Sequence, residues 1–129
     1  MNQEKCVLVV DDEPAVTRLL TFALQQAGFR VQVAADGVEG LEFFRGHPGR
    51  ISAIVSDLLM PRMNGLDMAL RVRESDPSLP IVLISGYSDD VLQARAQTSF
   101  PLFRKPFLPT ELIAVLEDLL SRDDKRGAD

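Results

Sequence analysis

A chain of 129 residues, 46% apolar and 26% charged, has the length of one domain and enough apolar material for a core, which excludes a disordered polypeptide. A net charge of −5 argues against a nucleic-acid-binding surface, and the longest apolar runs are strand-sized, too short to span a bilayer. Met1-Asn2-Gln3-Glu4-Lys5 carries no secretory leader pattern and Cys6 is the only cysteine, so no internal disulfide is expected and a reducing cytoplasm is the expected location.

Cys6-Val7-Leu8-Val9-Val10 reads as a strand buried on both faces, with Cys6 as a small apolar residue, and it stops at two aspartates, Asp11 and Asp12. Pro14 suits a first helical turn; Val16, Leu19, Leu20, Ala23 and Leu24 follow at helical spacing, and Gly28 closes the helix. Val31–Ala35 is a second strand, and Asp36 caps a helix starting near Gly37 with Leu41 and Phe44 inward. After the loop Gly46-His47-Pro48-Gly49, Ile51–Ser56 is a third strand, and it too ends at an aspartate, Asp57. Pro61, Asn64 and Gly65 mark the next loop, and a third helix with Leu66, Ala69, Leu70 and Val72 ends at Asp76-Pro77. Ile81–Ser85 is a fourth strand, Ser88–Thr98 a short helix and Leu102–Arg104 a fifth strand. Leu108–Ser121 is the last helix, with Leu112, Val115, Leu116, Leu119 and Leu120 inward, followed by a polar, frayed tail over 122–129.

Strands alternating with helices imply an α/β, doubly wound parallel sheet with helices on both faces. Such sheets form their sites beyond the carboxyl ends of the strands. The first strand ends at Asp11-Asp12, the third at Asp57, the fourth at Ser85, and the fifth just before Lys105, so all five residues belong to one edge. Three carboxylates there repel: two unit charges about 4 Å apart interact by roughly 4 kcal/mol at an effective dielectric near 20. A hard divalent cation offsets this, and Mg²⁺ (or Mn²⁺) suits carboxylates, a carbonyl, water and a phosphate oxygen. A carboxylate is also a nucleophile toward phosphorus, and phosphoryl transfer needs mainly in-line positioning and neutralisation of the phosphoryl oxygens. A metal, the Lys105 ammonium and the Ser85 hydroxyl supply that neutralisation.

Four segments in order, Val7-Leu8-Val9-Val10-Asp11-Asp12-Glu13-Pro14, Asp57-Leu58-Leu59-Met60-Pro61-Arg62-Met63-Asn64-Gly65, Ile84-Ser85-Gly86 and Arg104-Lys105-Pro106-Phe107, resemble the receiver domains of two-component response regulators. The likeness covers about residues 5–121 and implies one receiver domain across 1–129, of flavodoxin-like fold with strand order 2-1-3-4-5. It implies that Asp57 is the phosphoacceptor. Asp12 and Asp57 with the Leu59 backbone carbonyl would ligate Mg²⁺, Asp11 acting mainly through water. Lys105 would pair with Asp57 and then with the phosphoryl group, Ser85 would move onto a phosphoryl oxygen as the switch, and Lys105–Pro106 would be cis. The implied partners are a histidine kinase or phosphotransfer protein and an unknown downstream protein. The implied chemistry is self-phosphorylation and self-dephosphorylation rather than multiple turnover. Free-standing regulator, phosphate relay or sink, and receiver of a hybrid histidine kinase stay open.

Two departures stand out. The aromatic usual three residues before the lysine is Leu102 here, which puts the common aromatic switch in doubt, and Gly86–Arg104 is short, so the fourth helix is expected to be short or irregular. Tyr87 and Leu59 flank the approach of a hydrolytic water, Tyr87 as a partial shield. Taken singly, each residue also has an ordinary reading. Asp11 and Asp12 would cap a helix, Asp57 would be a loop acid, Ser85 a turn residue, and Lys105 a solvated charge. Asp89 and Asp90 read as helix-start acids, His47 as a loop residue, and Met60 and Met63 as packing. An aspartate-nucleophile phosphatase would carry a second aspartate at position 59, where Leu59 stands. A flavin site would need a hydroxyl- and glycine-rich loop in place of Asp11-Asp12-Glu13. The remaining alternative is a phosphate-independent protein-binding module, against which the intact set of five polar residues argues.

Overall fold

In the computed structural model, which describes residues 5–86, 90–97 and 99–127, strands and helices alternate. The strands are β1 (Cys6–Val10), β2 (Arg30–Ala34), β3 (Ala53–Asp57), β4 (Ile81–Ser85) and β5 (Leu102–Arg104). The helices are α1 (Pro14–Gln26), α2 (Gly37–Gly46), α3 (Gly65–Ser75), α4 (Asp90–Ala96) and α5 (Pro109–Gly127). All strand pairs are parallel, in the order 2-1-3-4-5 that the resemblance implied. The sequence places β2 and β3 one or two residues off and the other three strands as observed.

Period-two alternation sorts the strand side chains into two cores. Leu8, Val10, Ile54, Ile81 and Leu83 pack with Leu41 of α2 and Leu66, Met68, Ala69 and Val72 of α3. Val7, Val9, Val55, Val82 and Ile84 pack on the other face with Leu20 and Leu24 of α1 and Leu112, Leu116 and Leu120 of α5. Burying such a side chain fully is worth about 1.5–3 kcal/mol, so the central strands carry much of the stability. Met60 is buried and Met63 packs on the first core, as expected of packing residues. Cys6 is half-buried at the start of β1.

Helix starts follow the local chemistry. Asp36 caps α2 by accepting the Glu39 N–H at 2.9 Å, and Asn64 caps α3 by accepting the Asp67 N–H at 2.8 Å. Gly28, at φ 95°, closes α1. His47 ends α2 as a loop residue, stacked on Phe43 with ring centroids 4.0 Å apart.

Three expectations change. The helix predicted to stop at Ser121 runs on to Gly127, so 122–127 is helix rather than tail. Nothing in Arg122-Asp123-Asp124-Lys125-Arg126 breaks a helix, and the Asp118–Arg122 pair at 2.9 Å bridges the expected end. Leu19 is 48% exposed despite its helical spacing, because the α1 face that meets the sheet is the narrower stripe of Leu20 and Leu24. The short helix predicted over Ser88–Thr98 is the seven-residue α4; the readings placed on Tyr87 and Asp89 lie outside the described residues. No helix among the described residues is long and apolar enough to cross a membrane.

Candidate functional site

The parallel ladders continue one residue past the strands and position the site. The Asp11 N–H donates to the Ala34 carbonyl at 3.1 Å, the Leu58 N–H to the Ile84 carbonyl at 2.8 Å, and the Lys105 N–H to the Ser85 carbonyl at 2.9 Å. After Asp57 the chain folds back sharply. The Gly65 N–H donates to the Leu58 carbonyl at 2.8 Å, and a Cβ at Gly65 would run into the Asp57 backbone carbonyl. Glycine is thus required there by space. Lys105–Pro106 is cis.

Asp11, Asp12 and Asp57 each offer a carboxylate oxygen, all within 4.8 Å of one another. Asp11 is 3% exposed and Asp57 5%, while Asp12 is open to solvent. Burial first, and then repulsion from Asp11, pushes the Asp57 carboxyl up to about 7; Lys105 opposes the shift and Asp12 adds to it. Burial also raises Asp11, against the Glu13 N–H that bonds its Oδ1 at 2.9 Å. The second oxygen, Asp11 Oδ2, is buried and accepts no hydrogen bond among the described residues. Leaving such an atom bare is unfavourable. Three crowded carboxylates with one orphaned buried oxygen are an oxygen-rich donor set that fits a hard divalent cation.

Lys105 Nζ lies 2.9 Å from Glu13 Oε1, 3.4 Å from Asp57 Oδ2 and 4.0 Å from Asp11 Oδ2. Burial works to lower this ammonium, but Glu13, Asp57 and Asp11 together outweigh it and hold it above the ordinary lysine value. The Asp11, Asp12, Asp57 and Lys105 side chains therefore converge. Ser85, although it ends β4 on the same edge, does not join them through its hydroxyl, which donates to Gln93 Oε1 at 3.3 Å. Leu59 stands exposed two residues beyond Asp57, and Leu102 is half-buried against the α2–α3 core. Glu13, rather than Asp11 or Asp12, takes the N-cap position of α1, and Asp11 reaches the helix start through its Oδ1, which accepts the Glu13 N–H.

Sequence reasoning assigned no role to Glu13, Gln93, Arg104 or Arg62. Glu13 adjoins Asp12 and was findable by charge. Arg62, at φ 67°, forms a two-pronged pair with the Asp36 cap at 2.8 and 3.2 Å and holds the Asp36 carboxyl below its usual range. Gln93 has no sequence signal, since one polar residue in a short helix carries none.

The family model of the response regulator receiver domain matches residues 7–117. The chain belongs to that family. Over 120 residues it is 34% identical to the sensor kinase CckA of Brucella abortus, covering 92% of this chain and 13% of that protein. Over 125 residues it is 34% identical to the DNA-binding response regulator MtrA of Mycolicibacterium smegmatis, covering 95% of this chain and 54% of that one. The chain thus spans about half or less of these relatives. A response regulator receiver protein from Sinorhizobium medicae superposes with a TM-score of 0.83 at 28% identity, covering 92% of this chain and 96% of that one.

Proposed function

We propose that this chain is a phosphorelay receiver that takes a phosphoryl group from a histidine kinase or phosphotransfer protein onto Asp57 and so changes its binding to a downstream protein. The observation that carries the reading is the buried Asp57 carboxylate facing Lys105 at 3.4 Å beside the orphaned Asp11 Oδ2. In the transfer, an Asp57 carboxylate oxygen bonds to phosphorus as the P–N bond of a phosphohistidine breaks and the imidazole leaves with the electron pair. With a small donor such as acetyl phosphate, acetate leaves instead. Hydrolysis returns the carboxylate and inorganic phosphate as water attacks phosphorus.

Asp57 must be ionised to attack, and Lys105 is the side chain that favours ionisation. The same ammonium neutralises a phosphoryl oxygen once Asp57 is phosphorylated. Asp12, Asp57 and the Leu59 carbonyl would hold Mg²⁺ or Mn²⁺, with Asp11 behind a water; the cation would neutralise charge on the phosphoryl oxygens. Ser85 is the hydroxyl that would turn to a phosphoryl oxygen. The sensor-kinase relative supports the hybrid-kinase receiver as the setting of this chain, with a free-standing regulator as the other reading. A cytoplasmic location and the lack of direct nucleic-acid binding complete the proposal, the latter resting on the net charge of −5.

The test is the intact mass after incubation with Mg²⁺ and acetyl phosphate, beside Asp57→Asn. One added phosphoryl group is expected, absent in the variant and without Mg²⁺. A protein that accepts no phosphate from acetyl phosphate or a phosphohistidine donor, and does not bind beryllofluoride, is a phosphate-independent binding module instead.

A further inference from the structure

We infer that Gln93 is a positioning residue that holds the Ser85 hydroxyl away from Asp57 in the resting state, and that Gln93 with Arg104 forms a polar switch in this chain. The inference rests on the phosphoacceptor reading and adds to it a latch. Gln93 is 8% exposed and sits on α4 over the ends of β4 and β5. Its side-chain oxygen accepts from Ser85 Oγ at 3.3 Å, from Arg104 Nε at 3.3 Å and from Arg104 Nη2 at 3.1 Å. A guanidinium only donates, so this pattern identifies the atom as the amide oxygen rather than the nitrogen.

An amide oxygen has two lone pairs and here faces three donors. At 3.3 Å the hydroxyl contact is long for an O–H···O bond, while two of the three contacts come from one guanidinium. The hydroxyl is the donor that can leave. When it does, Arg104 keeps the buried oxygen satisfied, so release avoids the penalty of an orphaned acceptor. Arg104 pairs with Ser85 across the β4–β5 ladder, and Leu102 pairs with Leu83 in the same ladder. A half-buried leucine there has no polar group with which to sense the hydroxyl. The polar contacts that sense it run through Gln93 to α4 and through Arg104 to β5.

The experiment titrates beryllofluoride in the presence of Mg²⁺ into the parent, Gln93→Leu and Gln93→Glu, each also in a Ser85→Ala background, with thermal melts of all six proteins. Gln93→Leu removes the acceptor and is expected to tighten binding about two- to tenfold, the range of one net hydrogen bond. Gln93→Glu keeps the shape, accepts more strongly and is expected to weaken binding by a similar factor. In the Ser85→Ala background the two substitutions should make no difference. Opposite signs that vanish without Ser85 are not produced by loss of packing, and if Gln93→Leu fails to fold, Gln93→Glu still decides the point. Both variants matching the parent, or both moving the same way, overturns the latch while the phosphoacceptor reading stands. A parent that does not bind beryllofluoride overturns the reading and the latch together.

Discussion

At Asp57, burial and the Asp11 charge act in one direction, and the consequence is measurable. Its carboxyl stands at about 7 in the fold against an ordinary value of 3.8. A folded value above the unfolded one means the fold favours the protonated form, so this stabilisation is complete below about pH 4 and lost as pH rises through about 7. Metal-free protein is therefore expected to melt lower at pH 7.5 than at pH 5, an effect of a few kcal/mol at most. Asp57→Asn should remove most of that slope and melt several degrees above the parent at pH 7.5. Mg²⁺ should raise the parent more than the variant. A parent whose metal-free melting temperature stays flat from pH 5 to 7.5 would remove the electrostatic account of the site. Lys105 is the counterweight, both by charge and by its hydrogen bond to Asp57. Lys105→Met is expected to move the Asp57 carboxyl above 7, read by NMR titration of its side-chain carbon without metal. The strand-end positions of these residues are legible in the sequence. The division of Lys105 between Glu13 and Asp57 is not, because it depends on side-chain conformations set across 92 residues of chain.

At the scale of elements, the turn after β3 holds Asp57 by close backbone approach. Gly65 starts α3 against the Asp57 carbonyl, and Asn64 caps the same helix. Gly65→Ala must push one backbone from the other and is expected to cost about 1–3 kcal/mol, seen as a lower urea midpoint. It should also slow phosphorylation by acetyl phosphate, since Asp57, the proposed acceptor, moves with its carbonyl. Unchanged values of both would mean the turn has slack that the contact denies. Asn64-Gly65 announces a turn in the sequence, but the need for glycine comes from the approach of β3, which no local pattern encodes. The end of α5 lies beyond Ser121 for a related reason. Its last turns lack apolar residues and continue because nothing stops them, with an Asp118–Arg122 pair across the expected break.

Across the whole molecule, β1 and β3 supply both cores with alternate residues, so neither core can be loosened without the sheet. Leu8→Ala on one side and Leu116→Ala on the other are each expected to cost about 2–5 kcal/mol. Both should lower one common transition, with the methyl NMR midpoints of the two cores coinciding with each other and with far-UV circular dichroism. Separate midpoints would show that the two layers unfold independently.

The sequence by itself determined the alternation of strand and helix, and through it the parallel sheet. Parallel strands bring every carboxyl end to one edge, so Asp11, Asp12, Asp57, Ser85 and Lys105 could be collected there from their positions alone. The tertiary structure decided the states of those residues. Burial together with a neighbouring carboxylate raised Asp57, Asp11 Oδ2 accepts no hydrogen bond among the described residues, and Ser85 was turned toward Gln93. Periodicity and strand order are properties of neighbouring residues along the chain. Desolvation and the choice of a hydroxyl's partner are properties of neighbours in space, and for Ser85 that neighbour comes from the short α4 helix, whose placement over β4 and β5 no local pattern sets.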